Sequence, residues 1–149
     1  MTGERLEFTV KFAVAGTVQG EALVSRVPLS FWGGLDPKSG MVTDRRHDLH
    51  GSCITGKVLF IPEGRGSSSS SSVLLEAIRL GTAPKAIINV VTEPIVATGS
   101  IIGRVLYGRW VPIVALDQGN YSQVRTGDIV HLVQTSDNLG TLVIERSKG

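Results

Sequence analysis

The chain has 149 residues, 42% of them hydrophobic and 19% charged, a balance that supports a folded core and excludes a disordered chain. Its 15 Lys and Arg against 13 Asp and Glu leave a formal charge of +2, and Arg45-Arg46 is an isolated basic pair, so no nucleic-acid partner is expected. The single cysteine, Cys53, excludes an internal disulfide and a cysteine-rich metal site carried by this chain alone.

No N-terminal apolar run resembles a signal peptide and no apolar stretch is long enough for a membrane helix, so a soluble cytoplasmic protein is expected. The length suits a single domain over residues 1–149. Taken in order, Leu6 to Ser25 alternates as two strands, with Phe8, Val10, Phe12 and Val14 on one face. From Val27 to His50, prolines and glycines break every periodicity, which predicts a long loop of the kind that carries function. Lys57 to Ile61 is a buried-type strand ended by Pro62.

Glu63-Gly64-Arg65-Gly66 follows, then six serines, Ser67 to Ser72. A Ser-rich tract is often a linker, but this one stands between a buried strand and the helical run Val73–Leu80, which stops at Gly81. Lys85 to Val91 returns as a strand, completing a strand–turn–helix–strand unit. A second helix over Glu93–Tyr107, a strand over Val111–Leu116 and an antiparallel closing hairpin over Ile129–Gln134 and Thr141–Glu145 complete the chain. The sum is a mixed α/β fold, mostly antiparallel, with one crossover.

A glycine-rich turn between strand and helix offers backbone N–H groups and the positive end of a helix dipole to an anion. Gly64-Arg65-Gly66-Ser67 fits that description, either as an anion site or simply as a capped helix start; it lacks the endings of a P-loop or a dinucleotide fingerprint. His47 and His50 stand three apart, but in a Pro/Gly-rich segment loop hydrogen bonding or a substrate-facing role is expected over metal ligation. Cys53 is expected as a small buried hydrophobe, and Asp128 as a turn residue.

Pro28-Leu29-Ser30-Phe31-Trp32-Gly33-Gly34, Asp36-Pro37, Asp44-Arg45-Arg46-His47 and Leu49-His50-Gly51 together resemble the small-subunit family of aconitase X. Gly56-Lys57-Val58-Leu59, Pro62, Gly64-Arg65-Gly66-Ser67-Ser68, Val73-Leu74-Leu75-Glu76 and Gly81-Thr82-Ala83-Pro84 continue the match in order. The resemblance implies an aconitase-like swivelling β/β/α domain and a heteromeric hydro-lyase in which a large catalytic subunit carries an iron or iron–sulfur centre and most substrate contacts. By position Ser67 is the implied base, removing the proton α to the carboxylate of a small hydroxy acid. Arg65, Gly66, Ser68, Trp32 and Gly33 are the substrate-binding candidates, with Ser68 the alternative base and no metal ligand on this chain.

The family's activities are dehydration of cis-3-hydroxy-L-proline and of mevalonate 5-phosphate. The low charged fraction and the serine run differ from Lys/Glu-rich thermophile proteins and favour the first, which yields Δ1-pyrroline-2-carboxylate. A non-catalytic anion-binding or structural module is the alternative class.

Overall fold

The computed structural model describes residues 3–65, 69–92 and 94–146. Seven strands close a barrel in the order β1 (Glu4–Val14), β11 (Leu139–Arg146), β10 (Ile129–Gln134), β2 (Val18–Val24), β6 (Val58–Phe60), β8 (Ala86–Asn89), β9 (Ile113–Ala115) and back to β1. Four of these pairings are antiparallel and three, β2–β6, β6–β8 and β8–β9, are parallel. The mostly antiparallel, mixed character expected from the sequence is therefore present. The expected single crossover is corrected to three: the long segment after β2 leads to parallel β6, α2 (Ser69–Leu80) joins β6 to β8, and α3 (Pro94–Tyr107) joins β8 to β9.

The two halves of the barrel wall read differently in sequence because they face different surroundings. In β1 exposed and inward positions alternate, with Val10 and the half-buried Leu6, Phe8 and Phe12 facing the barrel interior. Val14, expected on the same face, is corrected: beyond the register shift after Phe12 it packs in the outer core. In β6 and β8 every residue is buried. Val58, Phe60, Ala86 and Ile88 point into the barrel with Val10, Leu132 and Leu142. Leu59 and Ile87 point outward and pack with Leu74 and Ile78 of α2 and Ala97 of α3. A strand covered on both faces must be apolar throughout, which is why these two runs are continuous.

The segment after β2 lies as a further layer over the same apolar surface. Leu29, Phe31, Leu35, Val42, Leu49 and Ile54 are buried in it, and β4 (Leu35–Asp36) pairs with β5 (Met41–Val42) in a short hairpin. The helix expected from Val73 starts earlier: Ser69 to Ser72 are helical, which excludes a linker role for those four serines. Cys53 is exposed rather than buried, with its thiol 3.6 Å from the Ser39 carbonyl. Its neighbours Met41 and Ile54 take the apolar positions of that turn.

Small residues set the distance between α2 and α3. A Cβ added to Gly99 would lie 2.6 Å from the backbone oxygen of Ser71, so the two helix backbones touch there. Gly99→Ala gains helix propensity, yet it is expected to destabilise the protein by about 1–3 kcal/mol because the obstructing atom is backbone. Urea unfolding measures that loss.

At the opposite edge Asp128 is not a mere turn residue. It accepts a bidentate pair of hydrogen bonds from Arg146 at 2.9 and 2.7 Å, and a third from the Arg125 N–H at 2.9 Å. Burial of the carboxyl opposes its ionisation, but the Arg146 and Arg125 hydrogen bonds and charges outweigh it and hold the pKa below the usual carboxylate value. A lowered folded-state pKa contributes stability that is present above about pH 3.9 and is lost as pH falls through the folded value. Asp128→Asn is therefore expected to be less stable at neutral pH and to show a flatter loss of stability on acidification than the wild type.

Candidate active site

The carboxyl ends of the parallel strands are where α/β sheets gather ligand-binding loops. Here β6 ends at Phe60 and β8 at Asn89, and the chain beyond each is fixed by buried hydrogen bonds. The Asn89 side-chain amide donates to the Ile61 carbonyl at 2.9 Å. The backbone N–H groups of Val90 and Val91 both donate to the Pro62 carbonyl, at 2.8 and 3.1 Å. The proline has no N–H to lose, and its carbonyl becomes the anchor that turns the chain into β7 (Gly64–Arg65).

That strand pairs in parallel with β3 (Leu29–Ser30), matching Leu29 with Gly64 and Ser30 with Arg65. The pairing brings the start of the Phe31-Trp32-Gly33-Gly34 turn beside Gly64–Arg65, although about thirty residues separate them in the chain. The turn, α1 (Phe31–Gly34), is helical only at its ends: Gly33 has φ of +79° and Trp32 is extended in ψ. An L-residue at Gly33 would be strained by this dihedral, while the space above its Cα is open.

The turn has one side chain on each side of it. Phe31 is buried in the outer core, whereas Trp32 is 64% exposed. The Ser30 hydroxyl donates to the Trp32 carbonyl at 3.0 Å, and the Thr43 N–H donates to the Gly34 carbonyl at 2.9 Å. Trp32 and Gly33 thus stand in the open on a frame anchored from both sides. Of the expected site, Trp32, Gly33 and the Gly64–Arg65 backbone are brought together; Gly66, Ser67 and Ser68 lie outside the described residues.

Four residues that pattern reading did not single out hold the exit of β2 beside this frame. The Ser25 hydroxyl lies 2.6 Å from Asp48 Oδ1, the other Asp48 oxygen accepts the Arg26 N–H at 2.9 Å, and the Tyr121 hydroxyl donates to the Ser25 carbonyl at 2.7 Å. Burial pushes the Tyr121 phenol well above its ordinary pKa, so it remains a donor. His47 is buried in the same cluster. Its Nδ1 lies 3.0 Å from the Leu49 N–H nitrogen and 3.2 Å from Asp48 Oδ1, and its Nε2 faces the Val27 carbonyl and the Ser25 hydroxyl at 3.3 Å.

Ser25, His47 and Asp48 do not form a hydrolytic triad, because the serine donates to the carboxylate and is fully buried. Their job is to fix the loop that leads into β3. His50 is exposed and meets His47 only through a backbone hydrogen bond, so the pair does not chelate. Among the described residues no group of three or more His, Cys, Asp or Glu side chains is placed to hold a metal. The described donors do not fit an iron centre, and the exposed Cys53 thiol stands apart from any such set.

Comparison with known proteins gives this geometry its family. The model of the aconitase X swivel domain matches residues 7–141. A phosphomevalonate dehydratase small subunit of Methanosarcina acetivorans is 42% identical over 135 residues, which cover 90% of this chain and 88% of that protein. A cis-3-hydroxy-L-proline dehydratase of Pseudomonas aeruginosa is 49% identical over 105 residues; these cover 70% of this chain but only 18% of that much longer protein. The crystal structure of Thermococcus kodakaraensis aconitase X in its holo form superposes with a TM-score of 0.77 at 40% identity, over 91% of this chain and 97% of that one. The chain belongs to the aconitase X swivel-domain family.

Proposed function

We propose that this chain is the small subunit of a heteromeric hydro-lyase that dehydrates cis-3-hydroxy-L-proline to Δ1-pyrroline-2-carboxylate. The observation that carries the reading is the β3–β7 pairing, which sets the open Trp32–Gly33 turn beside the Gly64–Arg65 strand at the carboxyl end of the parallel strands. In this reading Ser67 is the base. It lies two residues beyond β7 and two before the first residue of α2, where a helix N-terminus and backbone N–H donors favour an alkoxide.

Ser67 would take the proton α to the substrate carboxylate. Arg65, Gly66 and Ser68 bind that carboxylate, and Gly33 leaves room for the ligand to approach the backbone. Trp32, an exposed indole, forms a wall for the pyrrolidine ring. Loss of the 3-hydroxyl then gives an enamine that tautomerises to the cyclic imine. The large catalytic subunit encloses the site and carries the iron or iron–sulfur centre, since the described residues here do not fit one.

The 49% identity to the Pseudomonas aeruginosa protein supports this substrate. Mevalonate 5-phosphate is the second reading, favoured by the Methanosarcina acetivorans small subunit, which matches along 88% of its own length. No helix among the described residues is long and apolar enough to cross a membrane, and a cytoplasmic enzyme is proposed.

Co-expression of the chain with the large subunit encoded in the same genome, followed by product assays on both substrates, tests the reading. Turnover of cis-3-hydroxy-L-proline with none of mevalonate 5-phosphate is expected; the reverse would install the second reading, and turnover of neither would reject both. Ser67→Ala is expected to lower turnover by about 10³-fold or more with subunit association unchanged. Ser68→Ala, which removes one of the carboxylate-binding groups, is expected to raise KM with kcat lowered far less than in Ser67→Ala; if the two kcat effects are exchanged, Ser68 is the base.

A further inference from the structure

The outer face of α3 is inverted relative to an ordinary surface helix. Its buried side is built from Val96, Ala97, Gly99, Ser100 and Gly103, whereas its larger apolar residues face outward. Ile101, Val105 and Leu106 are 50%, 78% and 61% exposed, and Ile102 and Tyr107 are partly exposed beside them. Positions 101, 102, 105 and 106 fall at the i, i+1, i+4, i+5 spacing of a single helical stripe.

The helix cannot roll to hide this stripe. Ser100 donates its hydroxyl to the Val111 carbonyl at 2.6 Å and accepts the Val111 N–H at 2.8 Å, both in a buried setting. Gly99 and Gly103 also leave no space for a larger inward side chain: a Cβ on either would lie within 3.0 Å of Ser71 or Ile78 atoms. The apolar stripe is therefore a fixed external feature of the fold. An exposed contiguous patch of this kind marks an interaction surface.

We infer that the Ile101–Ile102–Val105–Leu106 stripe is the surface on which this chain docks the large dehydratase subunit. The inference rests on the function proposed above and adds the place of contact. Two observations select this occupant over a second copy. The same domain occupies 18% of the Pseudomonas aeruginosa dehydratase and 22% of the one from Hypocrea jecorina, so in those relatives it is covalently part of a larger enzyme body. In the Methanosarcina acetivorans relative it is a small subunit by name. A constant neighbour of that kind would cover the stripe in either arrangement.

Charge complementarity defines the neighbour's rim. Arg104 lies 4.5 Å from the Trp110 ring centroid, and Arg109 donates to the Arg79 carbonyl at 3.1 Å, so cations flank the stripe. The matching surface is an apolar patch edged by carboxylates. At the other end of α3 the exposed Val91 is tied to the Pro62 carbonyl that precedes the glycine turn. A partner seated along α3 and over Val91 thereby reaches the candidate active site.

Ile101→Glu with Val105→Lys tests the docking surface, because the new pair is spaced i, i+4 and supports the helix. Wild type, this double variant and the barrel-surface control Val133→Lys are each titrated with the cognate large subunit and followed by sedimentation velocity without substrate. The expected result is a 1:1 complex for wild type and control, binding at least about 100-fold weaker for the double variant, and an unchanged Tm for the isolated chain. A double variant that binds like wild type overturns the inference and leaves the proposed function standing. A wild-type homodimer that the substitutions dissociate, without affinity for the large subunit, assigns the stripe to a second copy and overturns it. A wild type that stays monomeric and unbound overturns both. Because association is read without turnover, loss of activity in Ser67→Ala bears on the base alone.

Discussion

A parallel pairing of two residues with two others sets the geometry of the candidate site. Leu29–Ser30 and Gly64–Arg65 are each too short to stand as strands, and they exist because each is held from behind. Leu29 and Phe31 are buried in the outer core, so the first segment is held by apolar packing. The second is held by Asn89 and by two backbone donors on the Pro62 carbonyl. If either support were lost, the Trp32 turn and Gly64–Arg65 would be independent of each other.

The supports also explain why so many polar groups are buried near the carboxyl ends of these strands. Ser25, His47, Asn89 and Tyr121 are all satisfied by hydrogen bonds, and the described side chains include no buried polar atom without a partner. A fully paired network rigidifies its surroundings, while an unpaired member would cost about 1–3 kcal/mol. The result is a stiff platform with an exposed edge, the arrangement needed by a domain that completes a site with another body. The small-residue contact between α2 and α3 extends the same platform, and leaves the apolar stripe of α3 outside it.

Much of the fold was legible in the residues, for identifiable reasons. The alternation in β1 reports one covered face and the unbroken apolar runs of β6 and β8 report two, so all three strands are legible. Two further crossovers are not legible, because parallel pairing of β2 with β6 and of β8 with the short Ile113–Ala115 strand leaves no local mark. Cys53 was misplaced because its exposure depends on the β4–β5 hairpin, a non-local feature. The candidate site was legible through the glycine turn and the Trp32–Gly33–Gly34 run, but their adjacency was not, since it depends on a pairing across the chain. Ser25, Asp48 and Tyr121 had no signal beyond being polar residues at element ends; Asn89, closing an apolar strand, was the one that could have been noticed.

The central claim is that this platform contributes one wall, and the proton-abstracting group, of an active site shared with a larger subunit. Its most direct test is the crystal structure of the assembled enzyme with a slow substrate or product bound. The ligand is expected between the two chains, with Trp32 against its ring and the Ser67 hydroxyl about 3–3.5 Å from its α-carbon. A ligand enclosed by the large subunit alone, out of contact with both turns, would contradict it.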